Sequence, residues 1–187
     1  MIEMSNAYYN KSETVEWGTP QQFFDNMNKR FGPFTLDAAA SDLNHKCERY
    51  FTKQDDALRL TWAECWSTLK GEVGQDIVWC NPPYGHGVGK WVQKAVEEVE
   101  AGHVKRVVML LRSTTDVKWF HDWAWPYCSE MVFVKGRMCF DKGDGENKPA
   151  VFPSIVLVIE LPVIKQFFGK QAAPRISRVD RNGEEIE

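Results

Sequence analysis

Hydrophobic positions along the chain alternate between two periods, one helical and one extended. Phe23, Phe24, Met27 and Phe31 recur at helical spacing after Thr19-Pro20, and Gly32-Pro33 closes the segment. This predicts a first helix with Thr19 as its N-cap and Pro20 at its first position. Phe34 to Asp37 predicts a short strand, Ser41 to Cys47 a brief helix, and Arg49 to Thr52 a weak strand. Asp76 to Cys80 is a buried strand that Pro82-Pro83 stops. Val88, Trp91, Val92, Ala95, Val96 and Val99 make one apolar helical stripe, with Gly102 placed to cap its end. The apolar run Val107 to Leu111 marks a strand buried on both faces. Asp116 to Trp125 predicts a helix ended by Pro126. Met131 to Phe140 and Phe152 to Ile159 predict two strands, paired antiparallel across the polar loop Asp141 to Pro149.

Strands alternating with helices imply an α/β domain. The expected sheet is mostly parallel, with an antiparallel strand at one edge and helices on both faces. Residues 1–14 are expected to form a flexible arm, 15–168 the domain, and 169–187 a polar C-terminal tail whose last dozen residues are disordered. In such sheets ligands bind at the carboxyl ends of the strands. Asp37 and Asn81 each follow a strand, so they are expected to share one crevice.

Composition narrows the class. The 187 residues suit a single domain, and 43% apolar with 26% charged residues reads as soluble and globular. No apolar run approaches the roughly 20 residues of a membrane span, and the polar start lacks a signal-peptide layout. Five cysteines, an odd number with no CxxC pair, argue against a disulfide framework or a zinc site. They are expected to be buried, in a protein of the cytoplasm that binds no metal. The net charge of -3 means that contact with nucleic acid would need a locally basic surface.

Asn81-Pro82-Pro83-Tyr84 carries the sharpest chemical signal. The alternative reading is a rigid turn leaving a strand. A chance match to such a Pro-Pro-aromatic motif is expected in fewer than about one chain in a hundred of this size. Each residue has a chemical use. An exocyclic amino nitrogen on a base is a weak nucleophile, because its lone pair is delocalised into the ring. Two acceptors on its two N–H bonds hold it and shift it towards tetrahedral geometry. The Asn81 side-chain oxygen and the Pro82 carbonyl are candidates for those acceptors. Pro82 and Pro83 force extended backbone on the residues before them. Tyr84 is expected to stack on the base, which must leave its duplex to be reached.

The motif after a buried strand resembles that of amino-group methyltransferases. The wider pattern resembles the small phage-type DNA N6-adenine methyltransferases. The matching stretches are Trp17 to Pro20, Phe34 to Ala40, Asp56 to Leu58, Trp79 to Tyr84 and Lys135 to Arg137, in the same order, across roughly residues 15 to 160. The resemblance implies a Rossmann-like methyltransferase fold, S-adenosylmethionine as methyl donor, and the N6 amino group of adenine in DNA as target, in a bacterial or phage-infected cell. It further implies that Trp17, Thr19 and Pro20 belong to the donor site. Asp37, Ala38 and Ala39 would form the turn against which the donor sits. Asp56 and Leu58 would hold the donor's adenine. Two departures stand out. The usual glycine-rich turn is replaced by Ala38-Ala39-Ala40-Ser41. The acid expected on the ribose is hard to place, with Asp42 and Glu48 as candidates.

Other signals are weaker. Gly85 to Lys90 fails the spacing of a phosphate loop and reads as a mobile flap. His86, Arg112 and Arg137 are candidates for contact with DNA, against solvated loop histidine and surface salt bridges. Sequence reading on DNA would fall to the loop Asp141 to Pro149 or to the insert at 60–75. The competing functions are methylation of cytosine N4, of RNA or of a protein glutamine, and a nucleic-acid-binding module without catalysis. The sequence says nothing about oligomeric state.

Overall fold

The computed structural model describes residues 17–63, 74–85, 87–141, 149–160 and 173–186. Its strands are β1 (Leu36–Asp37), β2 (Arg49–Tyr50), β3 (Ile77–Cys80), β4 (Arg106–Arg112), β5 (Cys128–Val134), β6 (Ser154–Glu160) and β7 (Arg175–Val179). They form one sheet in the order β2-β1-β3-β4-β6-β5-β7. Every neighbouring pair is parallel except the two that β6 makes, with β4 and β5. This is the expected α/β fold. The antiparallel strand lies inside the sheet rather than at its edge, because β5 and β7 stand outside it.

Successive side chains of a strand point to opposite faces, and that alternation divides the core in two. Val78, Cys80, Val107, Met109 and Leu111 face one side, where helix α2 (Val88–Glu100) lays down Val92, Ala95, Val96 and Val99. Trp79, Val108 and Leu110 face the other, against Phe23, Phe24, Met27 and Phe31 of helix α1 (Gln21–Phe31). Full burial of each Val, Leu, Phe or Met side chain among them stabilises the fold by ~1.5–3 kcal/mol. Helix α2 ends as its sequence implies, with Gly102 at a φ of 72° just past the C-cap Ala101.

Several expectations change. Helix α1 starts at Gln21, with Pro20 rather than Thr19 at the N-cap, since the Thr19 hydroxyl is used elsewhere. No helix forms over 41–47: Ser41 and Asn44 pair across a turn, and the Asp37 carboxylate takes the Lys46 N–H. Pro126 sits inside the expected helix rather than after it. The segment is π-helical over Phe120–Ala124 and continues as α3 (Trp125–Tyr127), so the i−4 ladder that a proline disrupts is already broken. Strand β5 stops at Val134, where Gly136 turns the chain at a φ of 88°.

The C-terminal stretch expected to be disordered is ordered through residue 186. Strand β7 pairs with β5 and buries Val179. The Asn182 carbonyl accepts from the Asn26 amide at 2.8 Å, and Glu185 pairs with Arg30 at 2.9 Å. A polar tail can be anchored when its alternate residues find an open strand edge and a helix surface.

Candidate active site

A pocket of about 380 Å³ opens at the carboxyl ends of β1, β2 and β3. Small-molecule sites span roughly 300–1,000 Å³. The chain order β2-β1-β3 reverses direction between β1 and β3, and such a switch point opens a crevice between diverging loops. The turn after β1 contributes Ala38 to Ser41 and Asn44; the segment after β2 contributes Phe51 to Lys53, Asp56 and Ala57. Asn81, Pro82 and Pro83 follow β3, while Trp17 and Trp91 close the sides.

Asn81 is fixed in an informative way. Its Nδ2 donates to the Trp17 carbonyl at 2.5 Å and to the Thr19 hydroxyl at 3.1 Å. A carbonyl can only accept, so it must face the NH₂ end of the amide, and the orientation of Asn81 follows. The other end, Oδ1, is buried and has no hydrogen-bond partner among the described residues. An unpaired buried acceptor costs about 1–3 kcal/mol. Such a cost is retained where a ligand supplies the missing donor.

The other expected site residues divide. Ala38, Ala39, Asp56 and Trp17 line the pocket. Thr19, only 2% exposed, stands behind Asn81 and orients it. Pro20 caps α1. Leu58 is half-buried away from the lining. Tyr84 also leaves the pocket: its ring packs edge-on against Phe140 and Phe152, at 5.8 and 5.2 Å between centroids. Trp17 meets the same two rings, so the pocket wall rests on an aromatic cluster.

Asp37 is nine-tenths buried or more, and it serves the backbone. Its two oxygens accept from the Ala39 N–H at 3.3 Å and the Lys46 N–H at 3.0 Å, closing the loop that lines the pocket. Burial pushes its carboxyl up to about 6, against the partial relief of those N–H donors. Cys47 and Cys80 lie nearby, and burial raises both thiols, Cys47 to about 12. Cys47, Cys80 and Cys128 are buried, as expected of small apolar residues, Cys139 is half-buried, and Cys65 lies outside the described residues.

The candidates for the ribose acid, Asp42 and Glu48, are exposed and do not line the pocket; Asp42 accepts from the Tyr50 hydroxyl instead. Among the described lining residues the one acid is Asp56, whose backbone has a left-handed φ of 53°. Strain of that kind persists where surrounding structure imposes it. Sequence reasoning missed Phe51, Thr52, Lys53, Ala57, Asn44 and Trp91. The signal for the first three was present. A weak strand ending near Thr52, beside β1, places its following residues on the same carboxyl edge. Trp91 belongs to the apolar stripe of α2, and nothing in the periodicity separates it from core.

Arg112 and Arg137 are exposed, and the Arg112 guanidinium lies 5.6 Å from the Phe152 ring centre. His86 and the interior of the loop Asp141 to Pro149 lie outside the described residues. Asp141 itself pairs with Gly18 through two 2.9 Å backbone hydrogen bonds, so the loop departs beside the pocket. Among the described residues no group of three His, Cys, Asp or Glu could hold a metal, and no helix is long and apolar enough to cross a membrane.

Comparison with known proteins supplies an independent view. The family described as DNA N-6-adenine-methyltransferase (Dam) matches residues 6–182. A DNA N-6-adenine-methyltransferase of Escherichia phage T1 is 27% identical over 175 residues, 80% of this chain and 68% of that protein. One of Haemophilus phage HP1 is 29% identical over 154 residues, 78% of this chain and 81% of that protein.

Proposed function

The chain belongs to the DNA N-6-adenine-methyltransferase family, and on that premise we propose that its pocket binds S-adenosylmethionine and that it methylates the N6 amino group of adenine turned out of DNA. The observation that carries this reading is the free Oδ1 of Asn81, a buried acceptor on the wall of a ligand-sized pocket.

The residues present fit the donor. Ala38, Ala39 and Ala40 offer small side chains that allow close approach. Phe51 and Trp91 provide apolar surface, Asp56 an acceptor for an amino or hydroxyl group, and Lys53 a cation for a carboxylate. When bound, S-adenosylmethionine supplies an electrophilic sulfonium methyl.

The chain's own work is positioning. Asn81 Oδ1 accepts one N–H of the target amino group, and the Pro82 carbonyl accepts the other. Trp17 and Thr19 keep the Asn81 amide from rotating, so the acceptor is set before the base arrives. Preorganisation of this kind avoids reorganisation during reaction. The asparagine carries no charge and abstracts no proton at neutral pH; as the N–CH₃ bond forms the S–CH₃ bond would break to leave a neutral thioether, and the acidic proton of the methylated nitrogen would pass to water. A base inside a duplex cannot reach a pocket behind these turns, so it must flip out. Arg112 and Arg137, both exposed, supply the cations for the phosphates flanking it in this reading.

Incubation of DNA with labelled S-adenosylmethionine, followed by nucleoside analysis, tests this function. N6-methyladenine is the expected product. Label in N4-methylcytosine would replace the target, and no label in any nucleoside would overturn the reading.

A further inference from the structure

Val151 is 89% exposed, while the residues on either side of it, Ala150 and Phe152, are buried at 3% and 6%. The bend that presents it is pinned at both ends. The Ala150 N–H donates to the Met138 carbonyl at 2.8 Å, and the Ser113 N–H donates to the Pro153 carbonyl at 2.9 Å. Its position is also specific. Phe152 contacts Trp17, which lines the pocket, and Tyr84, which follows the Asn81 to Pro83 segment. Arg112 lies over Phe152. Cys139 pairs antiparallel with Pro149, and the Ala150 N–H reaches the carbonyl of Met138, the residue next to Arg137. Both arginines are exposed and make no ion pair among the described residues. The result is a bare aliphatic side chain on a hydrogen-bonded bend, with exposed arginines on the neighbouring segments, next to the aromatic cluster that backs the pocket wall.

Resting on the function proposed above, we propose that Val151 is a wedge that enters the DNA duplex and fills the space left by the flipped adenine. A flipped base leaves its neighbours unstacked, and an apolar side chain inserted between them replaces part of the lost contact. Arg112 and Arg137 hold the backbone on either side while the wedge is in place. The aliphatic residue is bare in the free protein because its burial partner is the duplex. Leu43 is also bare, at 99%, but it stands on the Ser41–Asn44 turn, away from Phe152 and Arg112, and is not among the residues lining the pocket. It serves as the control.

The test compares Val151→Ser, Val151→Ala, Val151→Leu and Leu43→Ala for methyl transfer to duplex DNA, with melting temperature and donor affinity measured alongside. Val151→Ala removes two methyl groups from the proposed duplex contact, so kcat/KM for DNA is expected to fall roughly tenfold. Val151→Ser should fall at least as far, Val151→Leu should keep most activity, and Leu43→Ala should match wild type. Melting temperature and donor affinity should not move. On a duplex whose adenines face cytosines, unstacking is easier, and the deficit of Val151→Ser should shrink. A serine variant at the wild-type rate, a leucine variant no better than serine, or an equal loss in Leu43→Ala overturns the wedge. A wild-type chain that makes no methyladenine at all overturns the underlying function, which is a different result.

Discussion

Asp37 closes β1, and Asn81 follows β3 on the neighbouring strand of the same sheet edge. Both place a short polar side chain in a largely buried setting beside one pocket. Asp37 uses both of its oxygens on its own chain, holding Ala39 and Lys46. Asn81 uses only its amide hydrogens, on Trp17 and Thr19, and leaves its oxygen unpaired. The turn after β1 is thus self-contained, and the turn after β3 keeps one buried acceptor without a partner among the described residues. Satisfied polar groups build a wall, whereas Asn81 Oδ1 is a buried atom of a pocket-lining residue with an acceptor still to offer.

The largest effect should come from completing or removing that free acceptor. Asn81→Ala is expected to lower the methylation rate by on the order of 10²–10³ with donor affinity little changed. Asn81→Asp keeps an acceptor but turns its second oxygen onto the Trp17 carbonyl, where the wild type has a donor. Its activity should lie between wild type and alanine and rise as pH falls, because the protonated acid can donate to that carbonyl. An alanine variant at wild-type rate would erase the distinction between the two turns.

Asp37 should behave as a structural residue. Asp37→Ala leaves two backbone N–H groups without their acceptor, costing about 1–3 kcal/mol each and roughly 2–4 °C of melting temperature per kcal/mol. Donor affinity should fall with stability, unlike in Asn81→Ala. The charge adds a pH dependence. Burial raises the folded-state carboxyl from 3.8 to about 6, so folding favours the protonated form. Its stabilisation is full below about 3.8 and is lost as pH rises through about 6, an effect on the order of 3 kcal/mol. Asp37→Asn removes this slope. Melting curves from pH 4 to 8 should therefore shift in favour of the Asn variant as pH rises, and parallel curves would show that Asp37 is not the titrating group.

A smaller effect is expected where the turn after β1 meets the start of the loop at Asp141. A Cβ added at Gly18 would stand 2.7 Å from Asn44 Nδ2 and 2.9 Å from the Asp141 carbonyl oxygen. The second contact is backbone and cannot swing away. Gly18→Ala should displace the Trp17 carbonyl and weaken donor binding severalfold, read by calorimetry. Unchanged affinity would mean that the two turns tolerate independent movement.

The sequence by itself determined the α/β class, the buried strands β3 and β4, helix α2 with its glycine stop, and Asn81-Pro82-Pro83 at the edge of a strand. These follow from local rules: period, proline geometry and a cap. It could not determine which partner each polar group finds. Thr19 reads as an N-cap until Asn81, 62 residues away in sequence, takes its hydroxyl. Tyr84 reads as a stacking surface until Phe140 and Phe152 enclose its ring. The last dozen residues read as a loose tail until β5 offers its edge and α1 offers Arg30 and Asn26. Periodicity reports which face of an element is apolar. Hydrogen bonds and ring contacts between distant segments form only when the fold brings them together, and those contacts separate the residues that build the pocket from the one that keeps an acceptor free.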